Sequence, residues 1–357
     1  MNKFFQNYLA RLSLKDQVAF SRRLAFLIKA DVPILESLRM MHKQTKTRAR
    51  AKILNQVVVD VANGQMLSAS LAKYNNTFGE FAINIIKVGE EGGILDQNLE
   101  YLADELKKRH DLRKKVMGAM VYPIFITVAT IGITGIITTY VFPKIMPIFQ
   151  SLGANLPLTT RLLIGLSDFL LHYGWLVIIG AAALAILFIF TYKTVKPFNY
   201  AVSRFLFAIP IFGPLALSYQ MANFTRTFGL LLNCNLGIVN AATITANATG
   251  NQIYKREIYK LADEISKGRK ISQHLETNPR MFPEMVPQMV SIGETTGSLG
   301  DTLMYLSDYF ESEVNDITKN LSSSIEPVLL LFMGVIVGFV AVAVITPIYE
   351  LTQNIHP

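Results

Sequence analysis

The chain has 357 residues, of which 51% are hydrophobic and 17% are charged, and its formal net charge is +8. Ordinary soluble domains carry roughly 25% charged residues, so this composition indicates a membrane protein. The basic residues cluster beside apolar segments and form no compact patch with aromatics, which disfavours nucleic-acid binding. The single cysteine, Cys234, excludes an internal disulfide and fits a reducing compartment.

Residues 1–115 are predicted to form a cytoplasmic helical-bundle domain. Their apolar residues recur at helical spacing, most clearly in an amphipathic run over 95–116. Ser68, and Ser272 in the second half of the chain, stand where helix caps are expected. No alternating strand pattern of any length is present in the sequence. The predicted fold class is therefore all-α, an integral membrane protein with helical bundles.

Three windows contain no Asp, Glu, Lys or Arg, and each is long enough to cross a hydrocarbon core of about 30 Å. They are 116–142, 169–192 and 327–349. The three transmembrane helices are accordingly predicted at 116–142, 173–192 and 324–348. The remaining segments are an extracytoplasmic loop at 143–172, a second cytoplasmic helical bundle at 193–323 and an extracytoplasmic tail at 349–357.

Basic residues predict the orientation of these helices. Six of them precede the first span between Lys107 and Lys115, and three follow the second span, ending at Arg204. The loop at 143–172 has only two. Because cytoplasmic loops are enriched in Lys and Arg, the amino terminus is expected in the cytoplasm and the carboxyl terminus outside it. The middle span returns the chain to the cytoplasmic side for the second bundle.

Two further windows without charge are not predicted to span. Pro210, Gly213 and Pro214 interrupt the window 205–225, which is expected to be a connector. The window 227–254 is rich in Asn and Gln side chains, which are costly in lipid without partners. It is therefore predicted to form soluble helices.

The sequence repeats itself at an offset of 204 residues. Phe20 matches Phe224 and Arg22 matches Arg226. Prolines of the first apolar segment, Pro123 among them, fall on prolines of the third. Each copy runs from water-compatible helices into a long apolar stretch. The duplicated unit is thus a soluble domain followed by a membrane helix, and the middle span has no counterpart in the repeat.

The sharpest local signal is the motif Gly-Glu-x-x-Gly-x-Leu, which occurs at 89–95 and again at 293–299. The first glycine is predicted to let the preceding helix end, and the second to free the backbone for a turn. The glutamate is expected to accept N–H groups of the following helix start. A compatible alternative is an exposed acidic surface for a partner protein. The candidate partner-binding residues are Gly89, Glu90, Gly93, Gly293, Glu294, Gly297, Arg22 and Arg226.

Small and hydroxyl residues in the first and third spans predict close approach of another helix, because small side chains let helices pack tightly in lipid. The neighbour is either a helix of the same chain or the membrane helix of another subunit or protein. Prolines near the starts of these spans predict kinks. The candidate residues for membrane helix packing are Pro123, Thr130, Thr134, Pro327, Gly334 and Gly338.

No catalytic, cofactor or metal site is predicted. The histidines are scattered singly, so no zinc site is supported. The chain has no phosphate-binding Gly-x-x-x-x-Gly-Lys-Ser/Thr loop and no sign of a nucleophilic triad. It has no dense acidic loop of the kind that calcium requires. Since the spans carry no Asp, Glu, Lys or Arg, an ion pathway is disfavoured as well.

The chain resembles the inner-membrane platform family of type IV pilus and type II secretion machines, the GspF/PilC family, from about Phe20 to Leu351. The resemblance rests on the two Phe-x-Arg starts, the Val32-Pro33 turn, the two Gly-Glu-x-x-Gly-x-Leu corners and the prolines of the first and third spans. One departure is that Asn235-Leu236-Gly237 stands where the family favours Gly-Val-Pro. The turn there is expected to be preserved through Gly237.

The resemblance implies a non-enzymatic platform in the bacterial inner membrane. Its two bundles would face a cytoplasmic hexameric assembly ATPase, and its membrane helices would pass pilin or pseudopilin subunits to a growing filament. It also implies a homo-oligomer that contacts other inner-membrane assembly proteins. The alternative is a small-solute transporter or channel built from internal repeats. Whether the filament serves a pilus, secretion or DNA uptake is a property of the partners.

Overall fold

The computed structural model describes residues 12–45, 47–151, 158–195, 198, 201–202, 207, 209 and 212–354. Its secondary structure over these residues is helical, without a strand. The chain divides into two compact units. Unit 1 comprises the described residues of Met1–Lys115 and Ser203–Asn315, and unit 2 those of Val116–Val202 and Asp316–Pro357. Lys196, Arg204, Pro210 and the end of the predicted tail lie outside the described residues.

The first copy of the repeat begins with short helices separated by tight turns. Ser13 caps the first of them, since its Oγ accepts from the Asp16 N–H at 3.2 Å and Asp16 accepts from the Ser13 N–H in return. Leucines spaced along the last helix, including Leu99 and Leu102, are fully buried. In chain order the helices are α1 Leu14–Lys29, α2 Ile34–Lys43, α3 Arg48–Ala62, α4 Leu67–Ala72, α5 Asn75–Phe78, α6 Glu80–Gly92 and α7 Leu95–Ala119.

Unit 2 contains α8 Val121–Ile136, a π-helical turn at Ile137–Val141, α9 Phe142–Ser151 and α10 Leu158–Thr194. The described part of the predicted extracytoplasmic loop at 143–172 is helical. Three helical stretches among the described residues are long and apolar enough to cross a membrane, within Leu95–Pro147, Leu158–Thr191 and Leu329–Thr346. The positions of the membrane borders along these helices stay predictions.

The second copy consists of α11 Phe212–Asn233, α12 Ile238–Ala248, α13 Gln252–Ser266, α14 Ile271–Glu276, α15 Met285–Thr296 and α16 Leu299–Asn354. The described part of the window 205–225 is mostly the start of α11, with Met221 and Phe224 buried, so the expectation of a connector was wrong there. Pro214 is tolerated because it lies in the first helical turn, where backbone N–H groups have no partner within the helix. The window 227–254 continues as helices of unit 1, as predicted.

Side-chain and backbone contacts recur at equivalent positions of the two copies. The rings of Phe20 and Phe78 lie 5.2 Å apart between centroids, and those of Phe224 and Phe282 lie 5.8 Å apart. The copies differ at their last helix. In the first copy α7 ends just before Met120, and Pro123 falls in the first turn of α8. In the second copy α16 runs through Pro327 without interruption.

The turn after the first helix of each copy is preserved through an unexpected residue. Asp31 and Asn235 occupy the same place in the repeat and have left-handed backbones, with φ of 59° and 58°. Gly237 has an ordinary φ of −56°. The expectation that Gly237 preserves this turn was therefore wrong. Asn and Asp replace glycine here because their short polar side chains tolerate the left-handed region.

Unit 2 holds its described helices together through a small apolar cluster and two buried hydroxyls. Phe142, Leu163 and Ala343 are buried against one another. The Thr160 hydroxyl donates to the Ala343 carbonyl at 2.8 Å, and the Ser167 hydroxyl donates to the Thr138 carbonyl at 2.7 Å. Many other large apolar side chains of these helices are exposed, as expected for a surface that faces lipid.

Candidate functional site

The glutamate of each predicted corner binds the amino-terminal end of a short helix. The Glu90 carboxylate accepts the backbone N–H groups of Leu67 at 2.5 Å and of Ser68 at 2.8 Å. In the second copy Glu294 accepts the N–H of Ile271 at 2.6 Å and of Ser272 at 3.3 Å. These amides open α4 and α14, where unpaired N–H groups and the helix dipole favour a negative charge.

Two details of the prediction are corrected by this geometry. The glutamate caps a helix that begins 23 residues earlier in the chain, not the helix that follows it. Ser68 and Ser272 are the second residues of their helices rather than the caps. The Ser272 hydroxyl instead donates to Glu294 at 2.6 Å. Both glutamates are half-buried, so each carboxylate is engaged within its own bundle.

The two glycines that define the motif of each corner have different roles. Gly93 and Gly297 end their helices with left-handed backbones, at φ of 68° and 74°. Gly89 lies inside α6, so the prediction that it lets the helix end was wrong. A Cβ atom on Gly89 would lie 2.9 Å from the Asn98 Cβ and 3.0 Å from the Leu95 Cα. Gly293 has the same close approach to α16 in the second copy.

Replacing Gly89 with alanine is expected to lower the free energy of unfolding by about 2 kcal/mol, because the new methyl group forces α6 and α7 apart. Gly118 in α7 is a matched control, since a Cβ there meets nothing within 4 Å. Gly118→Ala should be neutral or stabilising by up to about 1 kcal/mol, as in an open helix interior. Thermal unfolding of the purified protein in detergent measures both. Equal midpoints for the two variants would contradict the close-approach role.

The paired arginines lie in contrasting surroundings. Arg22 Nη2 contacts Asp104 Oδ1 at 2.5 Å, and its side chain is 52% exposed. The side chain of Arg226 is 4% exposed, and its Nη2 contacts Glu311 at 2.6 Å. Arg226 also keeps the repeat-equivalent contact, with Asp308 at 3.4 Å. The same position of the repeat thus carries an exposed arginine in the first copy and a buried arginine with several carboxylate partners in the second.

Arg226 also joins the two copies of the repeat within unit 1. Its Nε lies 3.4 Å from Oε2 of Glu105 in α7, whose side chain is 5% exposed. Four residues further along α7, the Arg109 guanidinium donates to the Thr227 hydroxyl at 2.6 Å. Nearer the end of α7, the Lys115 ammonium donates to Oδ1 of Asn315 at 2.9 Å. Ion pairs and hydrogen bonds therefore connect α7 to the second copy.

The sequence prediction missed Glu105 and Arg109. Both are charged residues on a helix whose leucines mark the buried face, and both differ from their repeat counterparts, Tyr309 and Glu313. A charged residue that is not matched in the other copy, and that lies next to a row of buried leucines, indicates a specific contact. The sequence alone does not favour this interpretation, because a charge on a helix is most often solvated.

A second carboxylate supports the far end of α4. Asp60 is buried in α3 and accepts from Lys73 Nζ at 2.8 Å, the Ser70 hydroxyl at 2.6 Å and the Gln56 amide at 3.1 Å. The Lys73 contact, followed by the hydrogen bonds from Ser70 and Gln56, lowers the pKa of Asp60 to about 2. The short helix is therefore fixed by Glu90 at its start and by Asp60 at its end.

The candidate packing residues of the spans fall into two groups. Pro123 and Thr130 are buried, and the Thr130 hydroxyl donates to the Ile126 carbonyl at 2.9 Å. Thr134 is half-buried and Pro327 is exposed. A Cβ on Gly334 or Gly338 would meet no atom of the chain within 4 Å. Packing among the described helices therefore does not use these two glycines, and contact with another subunit or protein stays a prediction.

Comparison with known proteins agrees with the duplicated architecture. The family described as type II secretion system (T2SS), protein F, matches the chain twice, at residues 20–143 and 224–347. The chain is 34% identical over 95% of its length to the type IV pilus assembly protein PilC of Thermus thermophilus, covering 83% of that protein. It is 31% identical to PilC of Pseudomonas aeruginosa over 94% of the chain and 90% of that protein.

A third relative comes from the secretion branch. The chain is 31% identical to the type II secretion system protein F of Pseudomonas aeruginosa, over 96% of the chain and 84% of that protein. The two family matches begin at the Phe-x-Arg positions Phe20 and Phe224 and contain both Gly-Glu-x-x-Gly-x-Leu corners. With both halves matched and full-length relatives above 30% identity, the chain belongs to the type II secretion system protein F family.

Proposed function

We propose that this chain is the non-enzymatic inner-membrane platform of a type IV pilus or type II secretion machine. In this role it couples a cytoplasmic hexameric assembly ATPase to the insertion of pilin or pseudopilin subunits into a filament. The observation that carries the proposal is the pairing of two helical-bundle copies in one compact unit, in a chain that also has three apolar helices. The relatives named for pilus assembly and for type II secretion support it.

The proposed placement is the bacterial inner membrane, with the amino terminus in the cytoplasm and the carboxyl terminus outside. The basic residues that flank the first two spans support this orientation. Both bundles then lie on the side where nucleotide is available. A solute transporter is not favoured, because the duplicated part is mostly outside the spans and the spans carry no Asp, Glu, Lys or Arg for a pathway.

The corners are proposed as the surface that meets the cytoplasmic partner. Since Glu90 and Glu294 are occupied by backbone N–H groups, their exposed neighbours are left to make the contact. In the first copy these are Glu91 and Ile94, both exposed at the turn between α6 and α7. Ile94 offers an apolar side chain for the buried centre of such a contact, and Glu91 offers a charged group for its polar rim.

The third span is proposed to receive a pilin membrane helix. Gly334 and Gly338 are four residues apart on α16, and among the described residues no atom of another helix would lie within 4 Å of a Cβ on either glycine. Two small residues at this spacing let another helix approach the backbone closely in lipid. This proposal is distinct from the bundle contact, because it concerns a different partner and a different part of the chain.

The test uses the full-length chain in lipid nanodiscs together with the hexameric assembly ATPase of the same organism. The chain alone is expected to show no ATP hydrolysis, and adding it should change the rate of the ATPase. Ile94→Asp should remove that change, whereas Val59→Asp is the matched control, since Val59 is an exposed apolar residue of α3 and not part of either Gly-Glu-x-x-Gly-x-Leu motif. Hydrolysis by the isolated chain, or an ATPase rate that is the same with and without the chain, would contradict the proposal.

A further inference from the structure

The two copies of the repeat use one equivalent surface in opposite ways. Phe26 in α1 is 71% exposed, whereas its counterpart Leu230 in α11 is 1% exposed. Three further positions of this surface are likewise exposed in the first copy and buried in the second. The exposed residues are Arg22, Arg23 and Met40, and their buried counterparts are, in the same order, Arg226, Thr227 and Ile244. The exposed set Arg22, Arg23, Phe26 and Met40 is named the head face. It borders a cleft of about 410 Å³ between α1 and α2.

A second surface shows the opposite difference. Tyr305 and Tyr309 of α16 and Ile292 of α15 are exposed. Their first-copy counterparts are buried or half-buried, namely Tyr101, Glu105 and Val88. The exposed surface of the second copy, extended by the half-buried Glu313 one turn further along α16, is named the tail face. Its members are Ile292, Tyr305, Tyr309 and Glu313.

Inside the chain, the buried versions of these two surfaces contact each other. Glu105 pairs with Arg226 at 3.4 Å, and Arg109 donates to Thr227 at 2.6 Å. Val88 and Ile244 line one cleft between α6 and α12. The tail-type surface of the first copy is therefore covered by the head-type surface of the second. The head face of the first copy and the tail face of the second copy take no part in this contact and stay largely exposed.

Transposing these two contacts and the pair that lines the shared cleft by the repeat offset gives three pairs of compatible chemistry. Val88 with Ile244 becomes Ile292 with Met40, an apolar pair. Glu105 with Arg226 becomes Tyr309 with Arg22, a guanidinium beside an aromatic ring.

The third pair changes at both positions and stays complementary. Arg109 with Thr227 becomes Glu313 with Arg23, so a hydrogen bond is replaced by an ion pair of opposite charges. None of the three transposed pairs opposes like charges.

We propose that the head face of one molecule binds the tail face of a second copy of this chain. The contact that joins the two bundles within a chain is thereby repeated between chains. Such a head-to-tail contact is heterologous, and it produces a closed ring if the rotation between subunits allows closure. The inference rests on burial and charge within unit 1 and does not depend on the proposed platform role.

The first test is a cysteine crosslink between two differently tagged, co-expressed chains, both carrying Cys234→Ser. One chain carries Arg23→Cys and the other carries Glu313→Cys. Oxidation in native membranes should give a mixed disulfide dimer, seen by purifying through one tag and detecting the other without reduction. Val59→Cys paired with Glu313→Cys is the control, because Val59 is exposed on α3 outside the head face.

Absence of the mixed dimer, or yields equal to the Val59 control, would overturn the proposal. So would a preference of Arg23→Cys chains for one another, because that outcome indicates a symmetric face-to-face contact. A symmetric result or a monomer leaves the platform role unaffected, since the ATPase measurement is independent of it.

The second test reverses charges in the full-length protein in detergent. Arg23→Glu alone, or Glu313→Arg alone, should weaken self-association roughly twofold to fivefold, as expected for one solvent-accessible ion pair. The double variant Arg23→Glu with Glu313→Arg should recover the association, because the pair is restored with its charges exchanged. Unchanged melting temperatures show that the variants are folded. A double variant as weak as the single variants would contradict the proposed pairing.

Discussion

Arg226→Ala is expected to lower the free energy of unfolding by about 3 kcal/mol, because it leaves the buried Glu105 carboxylate with only the half-exposed Lys108 ammonium, 3.5 Å from Oε1, as a cationic partner. Arg22→Ala, at the equivalent position of the first copy, is the matched control. Its partner Asp104 is exposed and can be hydrated, so the loss there should be at most about 1 kcal/mol. Arginine-to-alanine substitutions at the two equivalent positions of the repeat should thus lower stability by different amounts, because Arg226 is buried and Arg22 is exposed.

Thermal unfolding of the full-length protein in detergent measures this difference. Replacing both Glu105 and Arg226 with leucine should recover much of the stability lost in Arg226→Ala, since apolar residues remove the desolvation cost of both charges. If Arg22→Ala and Arg226→Ala have the same midpoint, burial of the charge cluster does not govern its energy. If the double leucine variant is the least stable of all, the ion pair is itself the main source of stability.

Glu90→Ala is expected to lower the free energy of unfolding by about 3 kcal/mol, because two backbone N–H groups lose a charged acceptor. Glu90→Gln should lose roughly half as much, since the amide keeps one acceptor oxygen but has no charge to pair with the helix start. Glu91→Ala is the neighbouring control. Glu91 is exposed, and its Oε1 lies 3.7 Å from Lys87 Nζ. Such a pair on a helix surface contributes roughly 0.5 kcal/mol or less to the free energy of unfolding.

Hydrogen exchange provides a local measurement of the same effect. In Glu90→Ala the amides of Leu67 and Ser68 should exchange faster than in the wild type, whereas in Glu91→Ala they should not. The equivalent amides at Ile271 and Ser272 serve as an internal reference, because Glu294 still holds them. Unchanged exchange at Leu67 in Glu90→Ala would show that another group caps α4.

The sequence was sufficient for the features that depend on neighbouring residues or on the repeat. Apolar windows predict spans because length and hydrophobicity alone decide whether a helix can cross a membrane. The turns at Gly93 and Gly297 were predictable because a left-handed helix end favours glycine. The two-copy architecture was predictable because Phe20, Arg22 and their counterparts match at one constant offset.

The features that the sequence could not supply depend on residues far apart in the chain. Glu90 caps a helix 23 residues before it, and no local pattern identifies that partner. The sequence around Gly89 predicts a helix end, whereas its actual role is to let the backbone of α7 pack closely against α6. The contact of Glu105 with Arg226 requires knowing which face of one copy covers the other. Each of these needs the tertiary arrangement, which periodicity does not contain.

The surface around Glu105 also has a consequence for synthesis on the ribosome. The residues of the first bundle up to Lys115 are made first, and Arg226 follows only after another 111 residues. At a translation rate of about 5–20 residues per second, this leaves Glu105 and Val88 uncovered for on the order of ten seconds. During that interval the surface of α6 and α7 that later packs against α11 and α12 is exposed on the nascent chain, because α11 and α12 have not yet been synthesised. A chain built by duplication therefore has to complete its own pairing in competition with neighbouring nascent chains on the same membrane.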